Sequence, residues 1–92
     1  MPANFYHITL VPRAGVTDEE VRKKFDSAVD WFSYAPNAWI VYTTSNAKKW
    51  KERLLPLVKS GGKLLICKLD KSDYTGWANV QLWEWLRQPR ET

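Results

Sequence analysis

The chain has 92 residues, of which 45% are hydrophobic, and 14 Lys and Arg against 10 Asp and Glu give a net charge of +4. This length predicts a single domain, residues 1–92, and the apolar content excludes a disordered tail. No apolar run approaches the ~20 residues of a membrane span, the N-terminus lacks a secretory pattern, and the single Cys67 excludes an internal disulfide. We therefore expect a cytoplasmic protein without membrane association.

The first third of the chain predicts a strand and a helix. Residues 4–12 (NFYHITLVP) alternate two sets of side chains as a strand does, and Pro12 ends the strand. Residues 16–28 (VTDEEVRKKFDSA) predict a helix, because Thr17 and Glu20 have the spacing of a capping box. One buried stripe of that helix consists of Val21, Phe25 and Ala28.

Five aromatic residues lie between positions 30 and 45, in DWFSYAPNAWIVYTTS. Residues 29–34 and 38–45 read as two strands, and Pro36 and Asn37 between them form a turn. We therefore interpret the rings mainly as hairpin packing. In an alternative interpretation, residues 29–34 extend the first helix and the elements alternate as βαβαβ.

The second half of the chain predicts a helix, a strand and a short terminal helix. Residues 45–62 form the helix, capped by Ser45 or Asn46 and bent near Pro56. Residues 63–70 (KLLICKLD) have a continuous apolar centre, which predicts an interior strand. The Trp-rich residues 77–88 (WANVQLWEWLRQ) predict a helix that the sheet or a second subunit must cover.

This order of elements predicts an α+β fold. Strand, helix, strand, strand, helix, strand is the order of a ferredoxin-like split βαββαβ sandwich, with a core over residues 4–70. The short C-terminal helix over residues 77–88 is an addition to that core.

The stretch from WFSYAPNAWIVYTTS through KLLICKLD to GWANVQLWEWL, within residues 5–86, resembles short bacterial SinR-like proteins. These are similar in turn to the small CRISPR adaptation protein that scaffolds the integrase complex. The resemblance implies a bacterial or phage origin, a ferredoxin-like fold and a homodimer. Relatives with ribonuclease activity place an Asp at the end of the first strand. Here Val11 or Pro12 occupies that place, and neither side chain can ligate a metal.

No catalytic or metal-binding group stands out in the remaining polar residues. His7 has no second His, Cys or carboxylate nearby in the sequence, and Cys67 reads as a small core residue. Asp70 and Asp73 are the only candidates for a divalent ion, in a ribonuclease-like protein that has lost or relocated its acidic site. We expect no cofactor and no resident metal, and we favour a non-enzymatic protein.

Basic residues crowd the two long helices, whose outer surfaces would join in a ferredoxin-like fold. A positive helix face can bind nucleic-acid phosphates, although acidic residues interrupt it. We predict DNA or RNA binding through Arg22, Lys23, Lys48, Lys49, Lys51 and Arg53, with Lys24 and Lys59 near them.

Aromatic residues outside the hairpin suggest two further surfaces. Tyr6, Trp39 and Tyr42 could stack bases if the sheet face were open, but the sequence lacks the RNA-binding signature of such sheets. Trp77, Trp83 and Trp85 suit packing or a homodimer interface, where large aromatics dominate the energetics. The sequence thus predicts a self-associating binding module for nucleic acid, with a pure protein-interaction module as the alternative.

Overall fold

The computed structural model describes residues 2–90, so residues 1, 91 and 92 of the predicted domain lie outside it. All predicted elements are present, and they form an α+β protein with one four-stranded antiparallel sheet of order β2-β3-β1-β4. The elements in chain order are β1 (Asn4–Val11), α1 (Asp18–Phe25), β2 (Asp30–Ala35), β3 (Ala38–Thr43), α2 (Ala47–Val58), β4 (Lys63–Leu69) and α3 (Val80–Arg87).

The first face of the sheet is covered by α1 and α2. Alternation along β1 sends Tyr6, Ile8 and Leu10 to this face, where they are buried. Burial of these apolar side chains is the main stabilising contribution of this layer. The helices contribute Val21, Phe25, Trp50, Leu54, Leu57 and Val58.

The second face carries a smaller core under α3. Phe5, Ile40 and Tyr42 of the central strands are buried there against the helix. The sheet therefore lies between two helical layers. One layer consists of α1 and α2, and the other consists of α3. The residues that α3 buries are Leu82, Trp85 and Leu86, whereas Val80 at its start is exposed.

Residues 30–43 form the predicted hairpin, so the alternative in which residues 29–34 extend the first helix is wrong. Pro36 and Asn37 make the two-residue turn, and Asn37 has φ 66°. Proline at the first central position and a positive φ at the second are typical of a type II turn. Trp39 stacks on Phe25 with ring centroids 4.2 Å apart, so at least one hairpin ring serves the core.

β4 is an edge strand, and the prediction that it lies inside the sheet is wrong. Its apolar run is shared between two faces: Leu64 and Ile66 pack on the first core, whereas Leu65 is 61% exposed. A continuous apolar run resembles a fully buried strand in the sequence, but here one half of it faces solvent. Cys67 is also exposed, so its prediction as a core residue is wrong as well.

The helix boundaries follow from local capping. Thr17 Oγ1 accepts a hydrogen bond from Glu20 N at 3.2 Å, and Asn46 Oδ1 accepts one from Lys49 N at 2.9 Å. The structure thus selects Asn46 over Ser45 as the cap of α2. Gly62 connects α2 to β4. The backbone approaches β1 so closely here that a Cβ would lie 2.4 Å from Val11 O, so the position requires glycine. Among the described residues no helix is long and apolar enough to cross a bilayer.

Candidate functional site

A groove of about 560 Å³ runs between α2 and the edge strand β4. Its floor is apolar, with Leu55 and Val58 from the helix and Leu64 and Ile66 from the strand. Leu55 remains 38% exposed although it belongs to a helix packed on the sheet. The groove exists because α2 packs over β4, the edge strand of the sheet, and no further strand of residues 2–90 lies beyond it.

Four exposed lysines border this groove: Lys48, Lys51, Lys59 and Lys63. Lys48 and Lys51 lie about one turn apart on α2, and Lys59 directly follows the helix, eleven residues or about three turns after Lys48. No Asp or Glu of residues 2–90 lines the groove. The groove is therefore a site of concentrated positive charge above an apolar floor.

The six residues predicted to bind nucleic acid do not form one surface. Lys48 and Lys51 lie in the α2–β4 groove, whereas Arg22 lines a separate groove between α1 and the β2–β3 hairpin, beside Asp18. Lys23 forms an exposed ion pair with Glu19 at 3.8 Å. The two basic regions thus lie at opposite edges of the sheet.

Arg53 connects the two helices. Its guanidinium donates hydrogen bonds to Ser27 Oγ and Ser45 Oγ, both at 3.1 Å, and lies 4.5 Å from the centre of the Trp50 ring. Hydrogen bonds and cation–π contact of this kind hold the side chain in place. Arg53 therefore has a structural role, and Lys49 remains exposed near the start of α2.

Three of the four groove lysines, Lys48, Lys51 and Lys59, were named from the sequence. They were grouped there with Arg22 and Lys23 of α1, which lie elsewhere. Their spacing along the helix was a usable signal. Lys63 carried no such signal, because its proximity to Lys59 depends on the turn at Gly62 and on α2 packing over β4.

The rings considered for base stacking are not available. Tyr6 and Trp39 face α1 and α2, and Tyr42 is buried on the other face beneath α3. The rings therefore lie on two faces of the sheet, and helices cover both.

The three tryptophans of the C-terminal region have different environments. Trp85 is buried, and its Nε1 donates to Asp30 Oδ2 at 2.9 Å. Trp83 is half-buried and stacks on Tyr74 at 6.2 Å. Trp77 precedes α3 and is 101% exposed. Trp77 is therefore the member of this set with its whole ring available to a partner.

Asp30 and Arg90 join the C-terminal segment to the sheet. Arg90 Nη2 lies 3.4 Å from Asp30 Oδ2, and its guanidinium is 4.5 Å from the centre of the Trp85 ring. The Arg90 side chain is only 11% exposed. These contacts, which the sequence did not indicate, fix α3 against β2 and β3.

A small cavity of about 230 Å³ lies between α3, the loop before it and the sheet. His7 Nε2 and the Tyr34 hydroxyl are 2.5 Å apart at its polar end, and Trp77 and Trp83 line it. Burial lowers the pKa of His7, so the imidazole is neutral at pH 7. The pair has no nucleophile or carboxylate among its hydrogen-bond partners in the described residues, and it does not form a catalytic triad.

The loop after β4 holds its acidic residues in local hydrogen bonds. Asp70 Oδ1 accepts from Ser72 Oγ at 2.6 Å and from Ser72 N at 2.8 Å, and these bonds lower the pKa of Asp70. Asp70 and Asp73 do not belong to any group of three or more His, Cys, Asp or Glu able to hold a metal within residues 2–90.

No family model, curated protein or solved structure matches the chain.

Proposed function

We propose that the protein is a non-enzymatic binding module for an anionic partner and that the α2–β4 groove is its binding surface. The observation that carries this proposal is the convergence of four lysines on one groove that no acidic residue in the described chain lines. Concentrated charge of one sign attracts a partner of the opposite sign and speeds its association. A solvated surface of mixed sign, by contrast, would interleave acids with these lysines.

Nucleic acid is one class of anionic partner, and it is the class that the basic helices predict. Lys48, Lys51 and Lys59 span roughly 16 Å along α2, at 1.5 Å per residue, which allows contact with several successive phosphates. Such contacts would bind the backbone with little sequence preference.

The test is fluorescence anisotropy with labelled single- and double-stranded DNA and RNA and with a labelled poly-glutamate peptide, at low and at physiological salt. The variant Lys48→Glu/Lys51→Glu reverses two charges in the groove, and Arg22→Glu/Lys23→Glu reverses two charges outside it. We expect the groove variant to weaken binding by about tenfold or more and to reduce the salt dependence. The control variant should bind like the wild type.

Two results would overturn the proposal. If none of the anionic polymers binds at low salt, the groove is not a binding site for an anionic partner. Magnesium-dependent cleavage of RNA that is lost in Asp70→Asn would replace the binding module with the ribonuclease-like alternative.

Self-association is a second candidate function, and a specific observation favours it. Trp77 is fully exposed beside the cavity that it helps to line. A two-fold axis at this place would let each copy insert its indole into the cavity of the other, as an isologous interface requires. If so, Trp77→Ala should convert a dimer to a monomer in sedimentation velocity, and a dimer that survives this change would rule out Trp77 as its anchor.

We also propose that the core is a ferredoxin-like split βαβ sandwich. The units β1-α1-β2 and β3-α2-β4 each join two parallel strands across one intervening strand, which supports this assignment.

The exposed free thiol of Cys67 supports a reducing, cytoplasmic compartment. The resemblance to SinR-like proteins stays a prediction, which a solved structure of the chain compared with one of theirs would test.

A further inference from the structure

We infer that the partner of the α2–β4 groove is an acidic, extended segment of another protein, which adds to the sheet as a fifth strand beside β4. This inference rests on the proposed function and names the partner at the same site. It combines three properties of the groove: a free strand edge, an apolar floor and a rim of lysines.

The free edge supplies the first reason. β4 pairs with β1 on one side, and no other strand of residues 2–90 pairs with its outer side. The strand has seven residues and spans roughly 23 Å, at about 3.3 Å per residue. A row of unpaired N–H and C=O groups of this length is a template for an added strand.

The floor supplies the second reason and favours protein over nucleic acid. Alternate side chains of an added strand would point to the α2 side of the sheet, toward Leu55. Apolar side chains there would remove Leu55 from water. A nucleic-acid backbone gains little from such a floor, and no aromatic ring lines the groove to stack a base.

The lysines supply the third reason and define the charge of the partner. Lys63 and Lys68 lie on β4 itself, Lys48 and Lys51 lie on α2, and Lys59 directly follows α2. Lysines on an edge strand oppose pairing with a second basic strand. A second copy of this chain, with its net charge of +4, would bring two lysine-bearing edges together. Glutamate and aspartate in the added strand would instead neutralise these lysines.

The experiment uses the full chain and an acetylated peptide of eight residues in which Val and Glu alternate. Binding is measured by NMR titration of ¹⁵N-labelled protein, and amide hydrogen exchange of residues 63–69 is measured with and without peptide. We expect saturable shifts in β4 and α2, a Kd below about 1 mM, and slower exchange of β4 amides. A second peptide carries N-methyl groups on alternate amides of the pairing edge, which removes its hydrogen-bond donors without changing charge.

Two variants of exposed apolar residues test the floor. Leu55→Ala removes an apolar contact in the groove, and Val80→Ala shortens an exposed apolar side chain on α3, outside the groove. We expect Leu55→Ala to weaken peptide binding by about three- to tenfold and Val80→Ala to leave it unchanged. Circular dichroism of both variants confirms that they are folded.

The outcomes separate this inference from the proposed function. If the N-methylated peptide binds equally well and β4 amides gain no protection, strand addition is overturned while anionic binding stands. Binding of nucleic acid without binding of the peptide overturns the protein partner and leaves the proposed function in place. If neither binds, both proposals fall.

Discussion

The two outer strands of the sheet are built differently. β2 is interrupted by a register shift between Ser33 and Ala35, and Ser33 Oγ lies 3.0 Å from the carbonyl oxygen of Ala35. Its Phe32 and Tyr34 rings pack toward α3, and Asp30 binds both Trp85 and Arg90. β4 has a continuous register with β1 over all seven residues, and Leu69 at its end packs against the core under α3.

This difference shows how a small protein protects one edge and leaves the other available. A bulge disrupts pairing at β2, and bulges are a common means of blocking an edge. At β4 the exposed lysines restrict the choice of partner but do not close the edge. The protected edge therefore serves stability, and the open edge carries the proposed binding surface.

The largest expected effect compares a leucine of α3 with a leucine of the open edge strand. Leu86 of α3 is 1% exposed, and Leu65 is 61% exposed on β4. We expect Leu86→Ala to lower the free energy of unfolding by about 2–5 kcal/mol, because it leaves a cavity, and Leu65→Ala to change it by less than about 0.5 kcal/mol. Urea denaturation measures both values. Equal losses would mean that β4 is also covered at Leu65.

A smaller effect is expected at the two aspartates that accept a tryptophan N–H. Asp30 Oδ2 accepts from buried Trp85, and Asp26 Oδ1 accepts from Trp31 Nε1 at 3.0 Å near the surface. Asp30→Ala should cost about 1 kcal/mol of stability, because it removes both the acceptor of the Trp85 N–H and the ion-pair partner of Arg90. Asp26→Ala serves as the control and should cost less, since water can replace the lost acceptor. Identical melting temperatures for the two variants would contradict the special role of the β2 edge.

A modest pH effect is expected from His7. Burial lowers the pKa of His7 in the folded state below its usual 6.5, so the unfolded chain takes up the proton first as the pH falls. The stability present above pH 6.5 should therefore decline on acidification below that value. His7→Gln should lose less stability than the wild type between about pH 7.5 and about pH 5 in thermal melts. If the wild type and His7→Gln lose the same stability over this pH range, His7 does not contribute to the pH dependence of stability.

The smallest expected effect is at Cys67, on the open edge. Its thiol is exposed, so a thiol reagent should modify the folded protein fully without denaturant. Because the Cys67 side chain is exposed, the modified protein should keep its melting temperature. A thiol that reacts only in urea would show that a further element or a second subunit covers β4.

Local chemistry predicted most of the fold. The capping residue Thr17 and the turn at Pro36 and Asn37 each act within four residues, so their effects can be seen in the sequence. The place of β4 at the edge could not be predicted, because KLLICKLD is equally compatible with two buried faces and with one. The sequence also indicated that Trp77, Trp83 and Trp85 belong together, yet Trp85 lies in the core and Trp77 in solvent.

The sequence by itself determined the order of helices and strands, because periodicity, caps and turns depend on neighbouring residues. Only the tertiary structure decided which charges share a surface. It brought Lys63 to the lysines of α2 and separated them from Arg22, since these distances depend on strand order and helix packing. A binding surface formed by residues far apart in the chain becomes visible only when the sheet that carries them is assembled.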